Sequence, residues 1–301
     1  MKRIFVYLVM ALSAMLCSCQ ETSGQKYVTT EADKAVAESL LKKMHDAYVG
    51  SKDAGKELST PELMILAAKE LLGTEYVAGT LEEDPENEQL RIYLTRTDCI
   101  LFVETCLNLA RTVKQAGNKV PSFDDFALNV AGTRYRKEPP YTYGDRIHYT
   151  TEWIRRQEGR LDDITLELGG RTYDHPIRFM SEHPNSYKQL AGADSIPRAA
   201  LDLKVISEVE DELNEIPMTY IPKDMVESVA KDIRSGDIIC YVSSVEGLDI
   251  AHGALAYVED GRVGFIHASQ KDGKVEIDGK TIAEYVVPRS NLSGIKVVRP
   301  L

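Results

Sequence analysis

The hydrophobic pattern of this 301-residue chain changes type once along its length, and that change limits the folds it can adopt. Up to about residue 116, apolar residues recur three or four positions apart, as they do on one face of an α-helix. From about residue 234 onward, short apolar runs are separated by turn sequences, which is typical of β-strands. Helices followed by strands predict an α+β fold.

Local start and stop signals place the individual elements. Ser59 and Pro61 are typical of a helix N-terminus, and Gly73 is placed to end that helix. The pair Asp260-Gly261 predicts a tight turn between two strands. The predicted helices include 31–47, 61–72 and 144–157, and the predicted strands are 89–94, 237–242, 252–258, 262–267, 274–277 and 281–287. Residues 117–234 are harder to assign, and we interpret them as an insertion that shapes a groove.

The first residues resemble a secretory signal, because Lys2 and Arg3 precede an apolar stretch, 4–16, that is too short to span a bilayer. The run Leu16-Cys17-Ser18-Cys19 resembles a bacterial lipobox, in which Cys19 is lipidated and becomes the first residue. Cys17 is unusual there, so an ordinary cleaved signal is the alternative. The predicted division is a signal peptide (1–18), a tether with an N-terminal helix (19–58) and a main domain (59–301). We expect a lipid-anchored envelope protein facing the periplasm or the cell surface.

The charge of the chain excludes one class of partner. Its formal net charge is −11, and removal of the two basic residues of the signal would make it −13. An acidic chain without basic clusters is a poor candidate for binding nucleic acid.

Cys99 stands where a helix is predicted to begin, after Thr97 and Asp98, either of which can cap the first turn. The positive end of the helix dipole favours the thiolate, which is the nucleophilic form of cysteine. The alternative is that Cys99 is a small buried apolar residue. After signal cleavage three further cysteines remain besides Cys19, and Cys99 and Cys106 are about 10 Å apart along one helix, too far for a disulfide. At least one thiol is therefore predicted to stay free.

Two of the six histidines stand at matching ends of the predicted hairpin. His252 begins one strand and His267 ends the next, so antiparallel pairing would bring them together. One imidazole could then accept a proton from Cys99 while the other orients it. The alternative is that both are ordinary histidines bonded to the backbone.

Several short motifs occur in the order found in one family of cell-wall enzymes. They are Leu72-Gly73-Thr74-Glu75-Tyr76, Asp98-Cys99, Phe102-Val103-Glu104, Arg146-Ile147-His148-Tyr149 with Trp153, Ser235-Gly236-Asp237-Ile238-Ile239, His252-Gly253 and Ile266-His267-Ala268-Ser269. With these motifs residues 61–301 resemble the NlpC-type peptidases, which are papain-like cysteine hydrolases, and specifically their N-acetylmuramoyl-L-alanine amidase-like branch. The resemblance implies a papain-like α+β fold with a helical N-terminal half, a central antiparallel sheet and a family-specific insertion at about 117–234.

The resemblance also implies a catalytic triad of Cys99, His252 and His267. Cys99 would attack an amide carbonyl of peptidoglycan or a muropeptide, His252 would take and return the proton, and His267 would orient His252. Neither a metal nor another cofactor is expected. Ile100 stands where many NlpC-type peptidases have serine, so selectivity for the free amine of a stem peptide is not implied.

Four other residues are candidate substrate contacts, each with a structural alternative. Tyr76 could donate to an oxyanion or pack in the core, and Asp98 could contact substrate or only cap its helix. His148 competes with His267 for the third triad position, or lines the groove. Trp153 could stack on a sugar or belong to the core.

Three functions remain open at this point: a peptidoglycan amide hydrolase, an envelope lipoprotein that binds wall fragments without turnover, and a zinc enzyme. The zinc enzyme would use Cys99, His252 and His267 as ligands with one open position. No closely spaced ligand pair accompanies these three residues in the sequence.

Overall fold

The computed structural model describes residues 27–84 and 86–301. The predicted signal peptide and Cys19 lie outside the described residues. The α-helices are α1 (Glu31–Asp53), α2 (Thr60–Glu70), α3 (Cys99–Ala116), α4 (Phe123–Arg134), α5 (Thr150–Arg155), α6 (Phe179–Glu182), α7 (Pro197–Asn214), α8 (Lys223–Val229) and α9 (Ile282–Val286). The strands are β1 (Glu75–Tyr76), β2 (Arg96–Thr97), β3 (Leu161–Asp163), β4 (Arg171–Tyr173), β5 (Met218–Pro222), β6 (Ile238–Ser243), β7 (Ile250–Glu259), β8 (Arg262–Ser269), β9 (Lys274–Ile277) and β10 (Leu292–Pro300).

The strands form one open mixed sheet in the order β2-β1-β9-β8-β7-β6-β10-β5-β4, and β3 pairs with β10 outside this path. Only the short β1–β2 pair is parallel within the described part of the chain. Strands β7 and β8 form the predicted hairpin. Its turn has positive φ at Asp260 (50°) and Gly261 (78°), the backbone conformation that matches the twist of paired strands. The α+β prediction is therefore confirmed.

Helices α2 and α3 begin at the predicted caps. In α2 the Ser59 side chain accepts a hydrogen bond from the backbone of Glu62, whose carboxylate accepts one from the backbone of Ser59. This reciprocal arrangement satisfies two N–H groups that have no partner inside the helix. Helix α3 is buried along most of its length and packs between α1, α2 and α4 on one side and β7 and β8 on the other. It is therefore the central helix of the fold.

Residues 117–234 contribute strands to the main sheet. Strands β3 and β5 from this segment both pair with β10, and β4 extends the sheet beyond β5. The helix predicted over 144–157 is wrong for its first half. There Ile147 donates its N–H to the carbonyl of Arg134, so the chain runs extended until α5. This long-range hydrogen bond overrides the local helical pattern.

Two predictions of strands are also wrong. Residues 89–94 form only an isolated bridge, between Val28 and Arg91. Residues 281–287 contain α9, because Thr281 and Glu284 form a capping box. The Thr-x-x-Glu signal for this helix is present in the sequence. Among the residues that the structure describes, no helix combines the length and the apolar character needed to cross a membrane.

Gly294 lies where β10 passes closest to β5. A Cβ atom at this position would overlap the carbonyl oxygen of Ile221 on β5. We therefore expect Gly294→Ala to lower the free energy of unfolding by about 1–3 kcal/mol, as overpacking does in other cores. Urea denaturation measures this change. Gly279→Ala is the control, because no described atom would lie within 4 Å of its Cβ, and equal losses in both variants would contradict the prediction.

Candidate active site

Cys99 is the first residue of α3, as predicted. Asp98 is the capping residue, and its Oδ1 accepts hydrogen bonds from the backbone N–H groups of Ile100 (3.0 Å) and Leu101 (2.9 Å). The N–H of Cys99 has no acceptor within the helix, because it belongs to the first turn. The cap therefore leaves a thiol and a free backbone donor on the same residue.

The two hairpin histidines are bonded to each other. His252 Nε2 lies 2.7 Å from His267 Nδ1, and the two rings are nearly perpendicular, at 88°. Their surroundings are aromatic, with the Tyr285 ring centre 5.9 Å from each imidazole. The predicted pairing of the two imidazoles thus forms directly.

The sulfur of Cys99 lies beside the strand that carries His252. Burial raises the pKa of the Cys99 thiol, and the backbone N–H of Gly253, the residue after His252, offsets only part of that rise. A Cβ at Gly253 would lie 3.1 Å from Ile100 Cδ1 and 3.5 Å from the carbonyl oxygen of Cys99, so glycine allows α3 to approach β7 closely. Within the described residues, no hydrogen bond joins Cys99 Sγ to either imidazole. Cys99 therefore lies beside Gly253, the residue that follows His252, and the triad's bond between the thiol and an imidazole is not formed.

All three groups are uncharged at neutral pH. Burial, and secondarily the charge of Asp98, raises the pKa of Cys99 to about 12 despite the helix dipole. Burial, together with His267 and Arg289, lowers the pKa of His252 to about 3. Burial also lowers the pKa of His267, to about 4. The expectation of a resting thiolate is therefore wrong, because loss of solvation outweighs the dipole.

This protonation state has a measurable consequence for alkylation. Iodoacetamide reacts with the thiolate, so its rate with Cys99 should rise about tenfold per pH unit from pH 6 to pH 10 without a plateau. Mass spectrometry of the modified peptide measures the rate. A rate that is already constant between pH 6 and pH 8 would show an ionised thiol and contradict the prediction.

A cleft of about 320 Å³ opens at Cys99 and is lined by all four predicted substrate contacts, Tyr76, Asp98, His148 and Trp153. A second cavity of about 270 Å³ is lined by His252 and His267. The four predicted substrate contacts therefore share one cleft with Cys99, whereas His252 and His267 line a separate cavity.

The structure distinguishes the roles of these four residues. Burial, and secondarily the proximity of Cys99 and Asp98, raises the pKa of Tyr76 to about 12, so Tyr76 keeps its proton and can act as a donor. His148 Nε2 donates to the carbonyl oxygen of Tyr143 at 2.8 Å. His267, and not His148, is the partner of His252. Trp153 is 7% exposed and packs in the hydrophobic core. It also lines the cleft.

Several functional candidates were missed at the level of sequence. The buried ion pair Arg134–Glu104 and the half-buried pair Arg146–Glu82 contribute to the wall of the cleft. Asp278 lies 3.5 Å from His267 Nε2. Glu104 and Arg146 belong to the sequence motifs, but their partners could not be predicted. The paired residues are 30 and 64 positions apart in the chain, and no sequence pattern identifies ion pairs over such separations.

The described cysteines Cys99, Cys106 and Cys240 are all free, which confirms that no disulfide joins Cys99 to Cys106. Burial raises the pKa of Cys106 and Cys240 as it does that of Cys99, but these two cysteines do not line the cleft. In residues 27–84 and 86–301, no three His, Cys, Asp or Glu side chains converge in a manner suited to holding a metal ion.

A family model of proteins described as N-acetylmuramoyl-L-alanine amidase-like matches residues 66–295. The chain therefore belongs to the N-acetylmuramoyl-L-alanine amidase-like family. No curated protein matches the chain.

Solved structures share the fold over most of the chain. An N-acetylmuramoyl-L-alanine amidase from Bacteroides uniformis is 29% identical, with a TM-score of 0.70 over 80% of this chain and 99% of its own. A Bacteroides fragilis protein provisionally named a xylanase is 31% identical, with a TM-score of 0.67 over 77% of this chain and 98% of its own. A Legionella pneumophila protein, 20% identical with a TM-score of 0.62 over 89% of this chain and 97% of its own, shows the fold alone.

Proposed function

We propose that this protein is a cysteine amidase of the cell envelope that hydrolyses an amide bond in peptidoglycan, either the muramoyl–L-alanine bond or a bond of the stem peptide. Membership of an amidase-like family supports a peptidoglycan hydrolase. The observation that carries the cysteine mechanism is the 2.7 Å hydrogen bond between His252 and His267. His252 lies on β7 next to Gly253, whose backbone N–H interacts with the sulfur of Cys99. We also propose that the fold is of the papain-like NlpC type, with residues 59–301 as the catalytic domain.

In the first half of the reaction, His252 accepts the proton of the Cys99 thiol as the sulfur attacks the amide carbonyl carbon. The carbonyl π electrons move to oxygen, and the backbone N–H of Cys99 stabilises this oxyanion at the positive end of α3. The C–N bond then breaks, and His252 returns its proton to the leaving nitrogen. The products are a thioester on Cys99 and a free amine.

In the second half, His252 removes a proton from water as the water oxygen attacks the thioester carbonyl. The C–S bond breaks, the sulfur regains a proton from His252, and a carboxylic acid leaves. Because thiol and imidazole are both neutral at rest, proton transfer must accompany each attack. His267 stabilises the transient His252 cation by orienting its ring.

The 320 Å³ cleft is large enough for the atoms next to the cleaved bond. Tyr76 is placed to donate to the substrate carbonyl region, and Trp153 offers an aromatic wall for a sugar or an alanyl group. Asp98 acts as the helix cap, which fixes the direction of the first turn. We propose that a lipid on Cys19 holds this domain at a membrane, where it faces the periplasm or the cell surface.

Incubation with defined muropeptides, followed by mass spectrometry, tests the function and identifies the bond. The expected products are a new amine and a new carboxylate, in amounts that enzyme alkylated on Cys99 at pH 9 does not produce. Anhydro-muropeptides and free stem peptides, tested separately, establish whether the glycan is needed.

Other outcomes would overturn the proposal. New reducing ends without new amines would indicate a glycoside hydrolase. Retention of sacculi in pull-downs, unaffected by alkylation and without any product, would indicate a binding lipoprotein. Loss of activity on chelation, with the thiol still free to react, would indicate a metal enzyme.

A further inference from the structure

The nitrogen of His267 that faces away from His252 has a definite electrostatic neighbour. His267 Nε2 is buried and makes no hydrogen bond within the described part of the chain. The closest carboxylate oxygen is Asp278 Oδ2 at 3.5 Å, followed by Glu276 Oε1 at 3.9 Å. A carboxylate therefore stands on the side of His267 opposite His252.

Asp278 is held more firmly than an ordinary surface carboxylate. Its backbone N–H donates to the carbonyl of Phe265 at 3.1 Å, and its Oδ1 accepts from the backbone N–H of Lys280 at 2.8 Å. Its side chain is only 13% exposed. These contacts leave Oδ2 as the oxygen directed at His267.

We propose that Asp278 is a positioning residue that holds the proton of His267 on Nε2 and thereby selects the tautomer of His252; this inference rests on the proposed function. With the proton on Nε2, His267 Nδ1 has a lone pair and accepts from His252 Nε2–H. His252 Nδ1 then carries the lone pair that accepts the proton of Cys99. The opposite tautomer of His267, with its proton on Nδ1, would either set two N–H groups against each other or require His252 to carry its proton on Nδ1, the nitrogen that acts as base.

The surrounding charges agree with this assignment. Asp278 and Asp272 raise the pKa of His267, while burial, Arg289 and Lys280 lower it. The net effect lowers the pKa of His267 and keeps its imidazole neutral. Only a neutral imidazole has the two tautomers between which Asp278 can select. Glu276 is the weaker candidate because it is more distant and because burial raises its own pKa.

Nuclear magnetic resonance of imidazole nitrogens in the full chain tests the tautomers without any substrate. Long-range proton–nitrogen spectra of uniformly ¹⁵N-labelled protein at pH 7 should show both His267 and His252 as Nε2–H tautomers. His252→Gln and His267→Gln variants assign the signals. An Nδ1–H tautomer at His267 in the unaltered protein overturns the proposal, whatever the enzyme is found to cleave.

Kinetics provide the second test. In Asp278→Asn the amide can donate to His267 Nε2 and favour the opposite tautomer, so kcat should fall by about 10²-fold, the lower end of a general acid–base contribution, with KM unchanged. Asp278→Glu should recover part of the loss, and Glu276→Gln, the matched control, should stay within about twofold of wild type. Equal kcat for Asp278→Asn and wild type overturns the positioning role while leaving the cysteine mechanism intact. Retained hydrolysis after loss of the Cys99 thiol would instead overturn the proposed function.

Discussion

Replacement of Cys99 by alanine should lower kcat/KM for amide hydrolysis by at least about 10⁴-fold, because removal of the nucleophile removes the covalent route altogether. The fold should survive, since Cys99 is the first residue of α3 and borders the cleft, and alanine favours helices. The cap by Asp98 uses the N–H groups of Ile100 and Leu101 and does not depend on the sulfur. Release of amines from purified sacculi is the measurement.

The chain offers a matched control for this experiment. Cys240 is also a free thiol, but it is 1% exposed and lines neither the cleft at Cys99 nor the cavity at the histidines. Cys240→Ala should keep kcat/KM within a few fold and lose stability through the smaller side chain. A Cys99→Ala protein that digests sacculi as fast as wild type would refute the mechanism.

Replacement of Arg134 by alanine should have the largest effect on stability. Arg134 is 6% exposed and Glu104 4%, and the guanidinium bonds both Glu104 oxygens and the carbonyl of Arg91. Removal of one partner leaves a buried carboxylate without compensation, which costs about 3–5 kcal/mol. Chemical denaturation at pH 7 should show this loss as a lower midpoint.

Arg262→Ala is the control that shows whether burial of the ion pair, and not pairing alone, causes the loss of stability. Arg262 bonds Glu284 at 3.0 Å, but both side chains are more than half exposed, so solvent screens the interaction. We expect no measurable change in its denaturation midpoint. If Arg134→Ala and Arg262→Ala behave alike, the stabilising role of the buried pair is wrong. Because Arg134 and Glu104 line the cleft, activity of Arg134→Ala should also fall at temperatures where the variant stays folded.

The errors of sequence interpretation have two kinds of cause, one local and the other from distant parts of the chain. The helix predicted from residue 144 fails because Ile147 bonds to Arg134 on α4. The strand predicted at 281–287 fails for a local reason, because the capping box of Thr281 and Glu284 starts a helix there. The thiolate expected at Cys99 fails because the helix dipole is a local effect, whereas burial depends on every element packed around the sulfur.

The sequence by itself determined the features that arise within a few residues: a cysteine directly after a capping aspartate, and a tight Asp-Gly turn that brings two histidines together. These features depend on short hydrogen bonds and on backbone preferences that residue types set locally. Only the tertiary structure decided that β7 lies beside the first turn of α3, that Asp278 stands behind His267, and that the thiol is neutral. Each of these features depends on contacts or desolvation contributed by several elements at once. A pattern within a few neighbouring residues does not contain that information.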